Sequence, residues 1–127
     1  MNKKIVVTGA VLILIGIILG AFGAHSLKKV VDSSQVLSFE TGVRYQIYHG
    51  FALIILGVNA DRLLINSKWV IRFILLGVAV FSLSIYLMVM QGPMGLSLKF
   101  LGPITPIGGL LMVLGWVLFI KNLLLQK

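Results

Sequence analysis

Four long apolar stretches divide the chain, and almost all of its charge lies between them. The stretches 5–24, 45–60, 73–98 and 100–120 contain no Asp, Glu, Lys or Arg. A hydrocarbon core about 30 Å thick needs roughly 20 helical residues to cross it. Continuous Leu, Ile, Val and Gly runs, without the alternation of barrel strands, indicate helices. The pattern predicts an all-α integral membrane four-helix bundle that runs up-down-up-down. The predicted spans lie near residues 5–25, 44–61, 70–91 and 101–122.

The segments between the spans differ in character. The segment 27–45 is amphipathic, and Asp32 or Ser33 is placed to cap a helix there. We therefore expect a short amphipathic interfacial helix between the first two spans, running into the second. Gly-Pro pairs at 92–93 and 102–103 interrupt the third and fourth spans at one membrane face, because Pro lacks an N–H and fixes φ.

Composition limits the class of protein. With 127 residues, 59% of them hydrophobic, the chain has room for one transmembrane domain over 1–127 and for no separate soluble domain. The absence of Cys excludes disulfides, thiolate metal sites and Cys nucleophiles. A net charge of +8 would suit nucleic acid, but the basic residues are spread over helix ends without a stripe, so we expect no nucleic-acid partner. The first apolar run is longer than a signal-peptide core, which indicates a retained membrane helix.

Loop charge predicts the orientation. The side with both termini and the middle loop carries seven basic residues, which are Lys3, Lys4, Arg62, Lys68, Arg72, Lys121 and Lys127. The other side carries four, which are Lys28, Lys29, Arg44 and Lys99. By the positive-inside rule we expect both termini in the cytoplasm.

Polar side chains gather in one leaflet, at the ends of the spans far from the termini. This candidate polar cluster consists of His25, Glu40, Arg44, Tyr45, Gln46, His49, Tyr86 and Thr105. Polar groups at membrane depth are costly and usually face the bundle interior or a cavity. The cluster is therefore either a structural device or a binding site.

Two pairs within the cluster carry specific hypotheses. Glu40 and Arg44 are four residues apart, so they are expected to pair as a clamp at the bilayer edge or to contact a ligand. His25 and His49 could face one another from neighbouring spans, and two imidazoles can ligate haem or contribute to a metal site. With no Cys and no third His, structural histidines are the favoured interpretation, and we expect no metal and no cofactor.

Small residues predict close helix packing. Gly16, Gly20 and Ala24 form a small-xxx-small row in the first helix, and Gly108 and Gly109 invite the same interpretation in the fourth. The row serves packing within the bundle or contact between protomers. Because Gly57 lies outside any such row, Gly57→Leu is expected to be milder than Gly20→Leu.

Three motifs carry a resemblance to a known family. They are Gly20-Ala-Phe-Gly-Ala-His25, Phe39-Glu-Thr-Gly-Val-Arg-Tyr-Gln-Ile-Tyr-His49 and Gly102-Pro-Ile-Thr-Pro-Ile-Gly-Gly109. In this order they resemble the YgdD/YwdK-type small bacterial inner-membrane proteins, which carry a domain of unknown function (423). The resemblance implies a four-span protein of the bacterial inner membrane. It supplies no activity and points to the same polar cluster.

Two functions compete. The absence of a nucleophile with a base, of paired carboxylates and of a phosphate loop favours a non-catalytic accessory, assembly or self-associating component of the membrane, as a homo-oligomer or within a larger complex. The alternative is a binding or transport module for a small amphiphile, a lipid or quinone, at the polar cluster, because broken helices at membrane depth line cavities. An enzyme or haem protein is the remaining class.

Overall fold

The computed structural model describes residues 1–63 and 68–125 of the chain. Its four helices are α1 (Lys3–His25), α2 (Ser33–Val58), α3 (Lys68–Met90) and α4 (Ile104–Leu125). Two short 3₁₀ turns, Leu27–Lys29 and Lys99–Leu101, lie before α2 and α4. The predicted all-α bundle is confirmed, whereas the membrane limits of each span stay a prediction.

The second helix begins where the sequence placed its cap. The Asp32 carboxylate accepts a hydrogen bond from the Gln35 backbone N–H at 2.9 Å, and the Gln35 side chain accepts one from the Asp32 N–H, which completes a capping box. The bond from the Gln35 N–H lowers the pKa of Asp32. From this cap α2 continues for 26 residues without a break. The amphipathic segment and the second span therefore form one helix.

The helices run antiparallel in chain order. Contacts between α1 and α2 extend from Gly23 beside Phe39 at one end to Gly57 beside Val6 at the other. Three stretches of the described residues are long and apolar enough to cross a membrane, namely Lys3–Lys29, Lys68–Met90 and Lys99–Leu125. The fourth helix, α2, is less apolar. From Phe39 to Gly57, α2 lies beside the first apolar stretch, in α1.

Burial is distributed unevenly among the helices. The buried residues of α1 are Gly9, Gly16 and Gly23, one every seven residues, and α1 turns its large apolar side chains outward. By contrast, α2 has ten buried residues, including the polar Gln46 and His49. Large exposed apolar side chains suit a surface in contact with lipid tails. The least apolar helix is thus the central one, shielded by its neighbours.

Two glycine contacts set how closely the helices approach. A Cβ on Gly9 would lie 2.5 Å from the carbonyl oxygen of Gly50, so α1 and α2 touch backbone to backbone. A Cβ on Gly108 would lie 2.4 Å from the backbone nitrogen of Phe81, so α3 and α4 do the same. Real Cβ atoms cannot occupy these distances. Glycine is required here because backbone atoms on the facing helix cannot move aside.

The glycine row predicted in α1 is only partly the packing surface. Gly16 is buried, and a Cβ there would lie 2.6 Å from Ile47. At Gly20 a Cβ would make an ordinary contact at 3.5 Å, and Ala24 is exposed. Ala24 therefore does not pack within the bundle, and the alternative, contact with another protomer, stays a prediction. The contact with α2 follows every seventh residue, as in helices that cross at a small angle, rather than every fourth.

Gly57→Leu is expected to destabilise the protein more than Gly20→Leu, the reverse of the sequence-based expectation. A Cβ on Gly57 would lie 2.9 Å from the backbone nitrogen of Val6, whereas at Gly20 the nearest atom is a side-chain carbon of Val43 at 3.5 Å. Overpacking costs about 1–3 kcal/mol, and most where backbone must move. Unfolding in mixed micelles at rising SDS fraction measures both variants. Equal midpoints would contradict the packing described here.

Candidate functional site

Gln46 lies at the centre of the polar cluster and joins three helices. It is buried, its side-chain amide donates to the carbonyl oxygen of Leu12 in α1 at 2.8 Å, and its side-chain oxygen accepts from the Tyr86 hydroxyl of α3 at 2.8 Å. A Cβ on Gly16 would lie 3.6 Å from the Gln46 nitrogen. Because Gly16, one turn after Leu12, has no side chain, the Gln46 amide can reach the Leu12 carbonyl. Both polar ends of Gln46 are used.

Two serines of α3 extend the network to the remaining helices. Ser82 is buried and donates to the carbonyl oxygen of Gly42 in α2 at 2.8 Å. Ser84 is hydrogen-bonded to the Thr105 hydroxyl of α4 at 2.6 Å and to the Phe81 carbonyl at 2.9 Å. Because the Ser84 hydroxyl donates to Phe81, it accepts the hydrogen bond from Thr105. The hydroxyl groups fasten α3 to α2 on one side and to α4 on the other.

His49 is held between α2 and α4. Its Nε2 accepts from the Trp116 indole N–H at 3.1 Å, and its Nδ1 lies 2.8 Å from the Tyr45 carbonyl oxygen. An indole N–H only donates and a carbonyl only accepts, so the partners assign the proton to Nδ1 and a neutral ring to His49. The ring also stacks on Tyr45 at 6.2 Å. Neither ring nitrogen is available to a metal or haem iron.

His25 is not a partner of His49. It is exposed at the C-terminal end of α1, and its neighbour in space on α2 is the segment near Phe39, not His49. His49 faces α4 instead. Within residues 1–63 and 68–125, no group of three or more His, Cys, Asp or Glu side chains could hold a metal ion. The hypothesis of a facing histidine pair is wrong for this arrangement.

The predicted Glu40–Arg44 clamp is also absent from the described residues. Arg44 is exposed, and its guanidinium donates to the Thr41 hydroxyl at 3.3 Å. The recorded ion pair of the described chain joins the Met1 amino group and Asp61 at the opposite end of the bundle. Spacing of four residues permits contact but does not enforce it, because both side chains have several rotamers. Arg44 thus lies beside the network without a carboxylate partner.

Tyr45 and Tyr48 line the outside of the same region. Tyr45 packs on Phe81 with ring centroids 4.9 Å apart and remains 42% exposed. Tyr48 is 60% exposed and lies beside Tyr45. Amphipathic rings of this kind commonly lie at membrane interfaces. The cluster therefore has an inner part of buried hydrogen bonds and an outer part formed by Arg44 and these tyrosines.

The inner part of the network is fully hydrogen-bonded. Within the described residues, no buried side-chain nitrogen or oxygen lacks a hydrogen-bond partner. An unsatisfied polar group in a dry bundle would cost several kcal/mol, so closure of every bond favours a fixed arrangement. The geometry is that of a structural lock.

Three side chains of the network were missing from the predicted cluster. They are Ser82, Ser84 and Trp116. Ser82 and Tyr86 are polar residues one turn apart in an otherwise apolar helix. This spacing could have predicted that they share a face, and in the structure that face lies toward α2. The backbone acceptor at Leu12 left no signal, because every residue carries a carbonyl.

Comparison with known proteins agrees with the membrane fold. Residues 19–109 match the family model described as protein of unknown function, DUF423. The chain belongs to the DUF423 family. UPF0382 membrane proteins of Staphylococcus haemolyticus and Staphylococcus aureus are 38% and 37% identical to it over 118 residues, covering 93% of this chain and 93% of each relative. A third, from Staphylococcus saprophyticus, is 31% identical over the same length. No solved structure matches.

Proposed function

We propose that this DUF423 protein is a non-catalytic component of the membrane that acts through helix packing, as an accessory or assembly factor of a larger complex or as a self-associating bundle. The observation that carries the proposal is that the inner part of the polar cluster is occupied by hydrogen bonds between the helices. Gln46, Tyr86, His49 and Thr105 all bond to protein groups. What remains for a partner is the long apolar outer surface of α1 and α4.

We further propose that the protein lies in the cytoplasmic membrane of a bacterium with both termini in the cytoplasm. The seven basic residues on the terminal side, against four on the other, support both termini in the cytoplasm. The similarity to bacterial membrane proteins supports the cytoplasmic membrane of a bacterium. In this orientation the 3₁₀ turns Leu27–Lys29 and Lys99–Leu101, and the polar cluster beneath them, face the outer leaflet.

Gentle purification tests the proposal. The tagged protein is extracted from native membranes in a mild detergent, and the bound proteins and lipids are identified and quantified by mass spectrometry. An unrelated four-helix membrane protein with the same tag is the control. We expect a second polypeptide, or a second copy of this chain, at a fixed molar ratio that the control lacks. A monomer that retains lipid alone would contradict this function.

A second function is favoured by a specific observation. Three open cavities lie along one side of α2, and the largest, of about 600 Å³, is lined mainly by apolar residues of α2 and α4, among them Phe51, Ile55, Trp116 and Phe119. Cavities that open sideways from a membrane bundle are reached from the lipid phase. The second candidate is therefore binding of a small amphiphile, and lipid retained without a protein partner would support it.

A further inference from the structure

Three cavities lie in succession along α2 on the side away from α1, and we refer to this row as the path. At 100° per residue, Thr41 and Ala52 lie about 160° and 180° around the helix from Val43, which contacts α1. Thr41 lines a cavity of about 290 Å³ between α2 and α3, and Ala52 lines the one of about 600 Å³ between α2 and α4. A cavity of about 370 Å³ lies between them and shares Trp116 with the largest.

The path changes from polar to apolar along its length. Gln35, Ser38 and Thr41 line the first cavity opposite an apolar wall of α3. The two hydroxyls donate to backbone carbonyl oxygens one turn back in α2. The last cavity has Phe51 and Ile55 on its α2 side, and its lining includes Asn59 only at the far end. A polar beginning followed by an apolar channel matches a molecule with a polar head and hydrocarbon tails. It does not match a second helix, whose apolar side chains would cover the polar cavity.

Arg44 stands at the junction of the polar and apolar parts. Its guanidinium donates to Thr41, which lines the first cavity. The preceding residue, Val43, lies against Gly20, five residues before His25 at the end of α1. Arg44 is therefore about 7.5 Å along the helix axis from the last residue of α1. A cation at this depth is costly unless an anion pairs with it or it reaches the interface.

The chain itself offers Arg44 little choice of anion. Its three acidic residues are Asp32, Glu40 and Asp61, so α1, α3 and α4 carry none. Asp32 caps α2, and Asp61 pairs with the Met1 amino group at the opposite end of the bundle. Glu40 lies one turn away and makes no ion pair with Arg44 in the described structure. An anion from outside the chain is the natural partner.

We propose that Arg44, whose guanidinium also donates to the Thr41 hydroxyl, binds the anionic headgroup of a membrane lipid whose hydrocarbon tail follows the path past Tyr48 toward Ile55. The proposal rests on the second candidate function and names its ligand class, an amphiphile with a phosphate or carboxylate head. Guanidinium binds both groups through paired N–H donors. Tail contacts alone would bind any lipid, and Arg44 supplies the preference for an anion.

Fluorescence quenching of Trp116 tests this preference. The chain has two Trp residues, so Trp69→Phe leaves Trp116, beside the path, as the single reporter. Trp116 bonds to His49, five residues or about 7.5 Å from Arg44 along α2, which is within reach of a bromine halfway down an acyl chain. The protein is placed in phosphatidylcholine vesicles, and brominated phosphatidylglycerol or brominated phosphatidylcholine is added in increasing mole fraction.

We expect brominated phosphatidylglycerol to reach half of its quenching at roughly a tenfold lower mole fraction than brominated phosphatidylcholine, the scale of one charged hydrogen bond. Arg44→Gln should remove most of this preference, and Arg44→Lys should keep part of it. The control is Arg72→Gln, since Arg72 lies over Trp69 at the other end of α3. Quenching by brominated stearate, compared with that by brominated phosphatidylglycerol, shows whether Arg44 binds a carboxylate head as well as a phosphate head.

The headgroup site at Arg44 and the binding of an amphiphile in the path can be disproved independently. If both lipids quench alike before any change at Arg44, or if Arg44→Gln keeps the preference, the headgroup site is overturned. Ala52→Phe, which fills the largest cavity, should weaken quenching by both lipids if a tail occupies it. If Ala52→Phe leaves quenching unchanged, amphiphile binding in the path is itself wrong. If dimers can be crosslinked through Arg44, the partner of Arg44 is a second copy of the chain. That result would also overturn the lipid headgroup site.

Discussion

Gly108→Ala is expected to cost about 3 kcal/mol of unfolding free energy, whereas Gly109→Ala, at the next residue, is expected to be neutral or slightly stabilising. A Cβ on Gly108 would lie 2.4 Å from the nitrogen and 2.7 Å from the Cα of Phe81, both backbone atoms. A Cβ on Gly109 would meet only a ring carbon of Phe81 at 3.9 Å. The new methyl group at Gly108 must therefore push α3 and α4 apart along their length.

The pair of variants is its own control, because both changes add one methyl group to the same helix. Unfolding in mixed micelles at rising SDS fraction, followed by far-ultraviolet circular dichroism, measures both. The sequence alone placed Gly108 and Gly109 together as packing residues, and the structure separates them. Similar losses in the two variants would show that α4 does not approach α3 through Gly108.

Gln46→Leu is expected to destabilise the protein by about 2 kcal/mol. The change removes the bonds to the Leu12 carbonyl and the Tyr86 hydroxyl, and it leaves the buried hydroxyl without its acceptor. Hydrogen bonds between membrane helices average about 0.6 kcal/mol each, and an orphaned polar group adds its own penalty. Tyr48→Phe is the matched control, because that hydroxyl belongs to an exposed side chain. A loss no larger than that of the control would show that Gln46 is not part of a lock.

The helices were predictable because a single physical constraint, the low polarity of the membrane interior, largely determines where they lie. Hydrocarbon excludes unsatisfied backbone and charge, so apolar run length and charge position indicate each helix and its neighbours. The Asp32 cap was predictable for a local reason, since its partner is three residues away. The predicted interfacial segment proved continuous with the second span because nothing between Ser33 and Val58 breaks the helix.

The arrangement of side chains was less predictable, for reasons that the structure makes clear. Spacing suggested a pair of Glu40 with Arg44, but rotamers decide contact, and Arg44 points to Thr41. His25 and His49 lie on adjacent helices, yet rotation about α2 turns His49 toward α4. A row of small residues marks a helix as able to pack closely without saying which face does so. That choice depends on all four helices together.

The central claim is that the buried polar cluster is a structural lock and not a reactive or ligand site. A double-mutant cycle of Gln46→Leu, Tyr86→Phe and the combined change tests it most directly, with unfolding free energy in mixed micelles as the readout. If the two side chains bond to each other as described at 2.8 Å, the double variant should lose less than the sum of the single losses, by roughly 0.5–1.5 kcal/mol. Strictly additive losses would mean that Gln46 and Tyr86 act independently, and would contradict the lock.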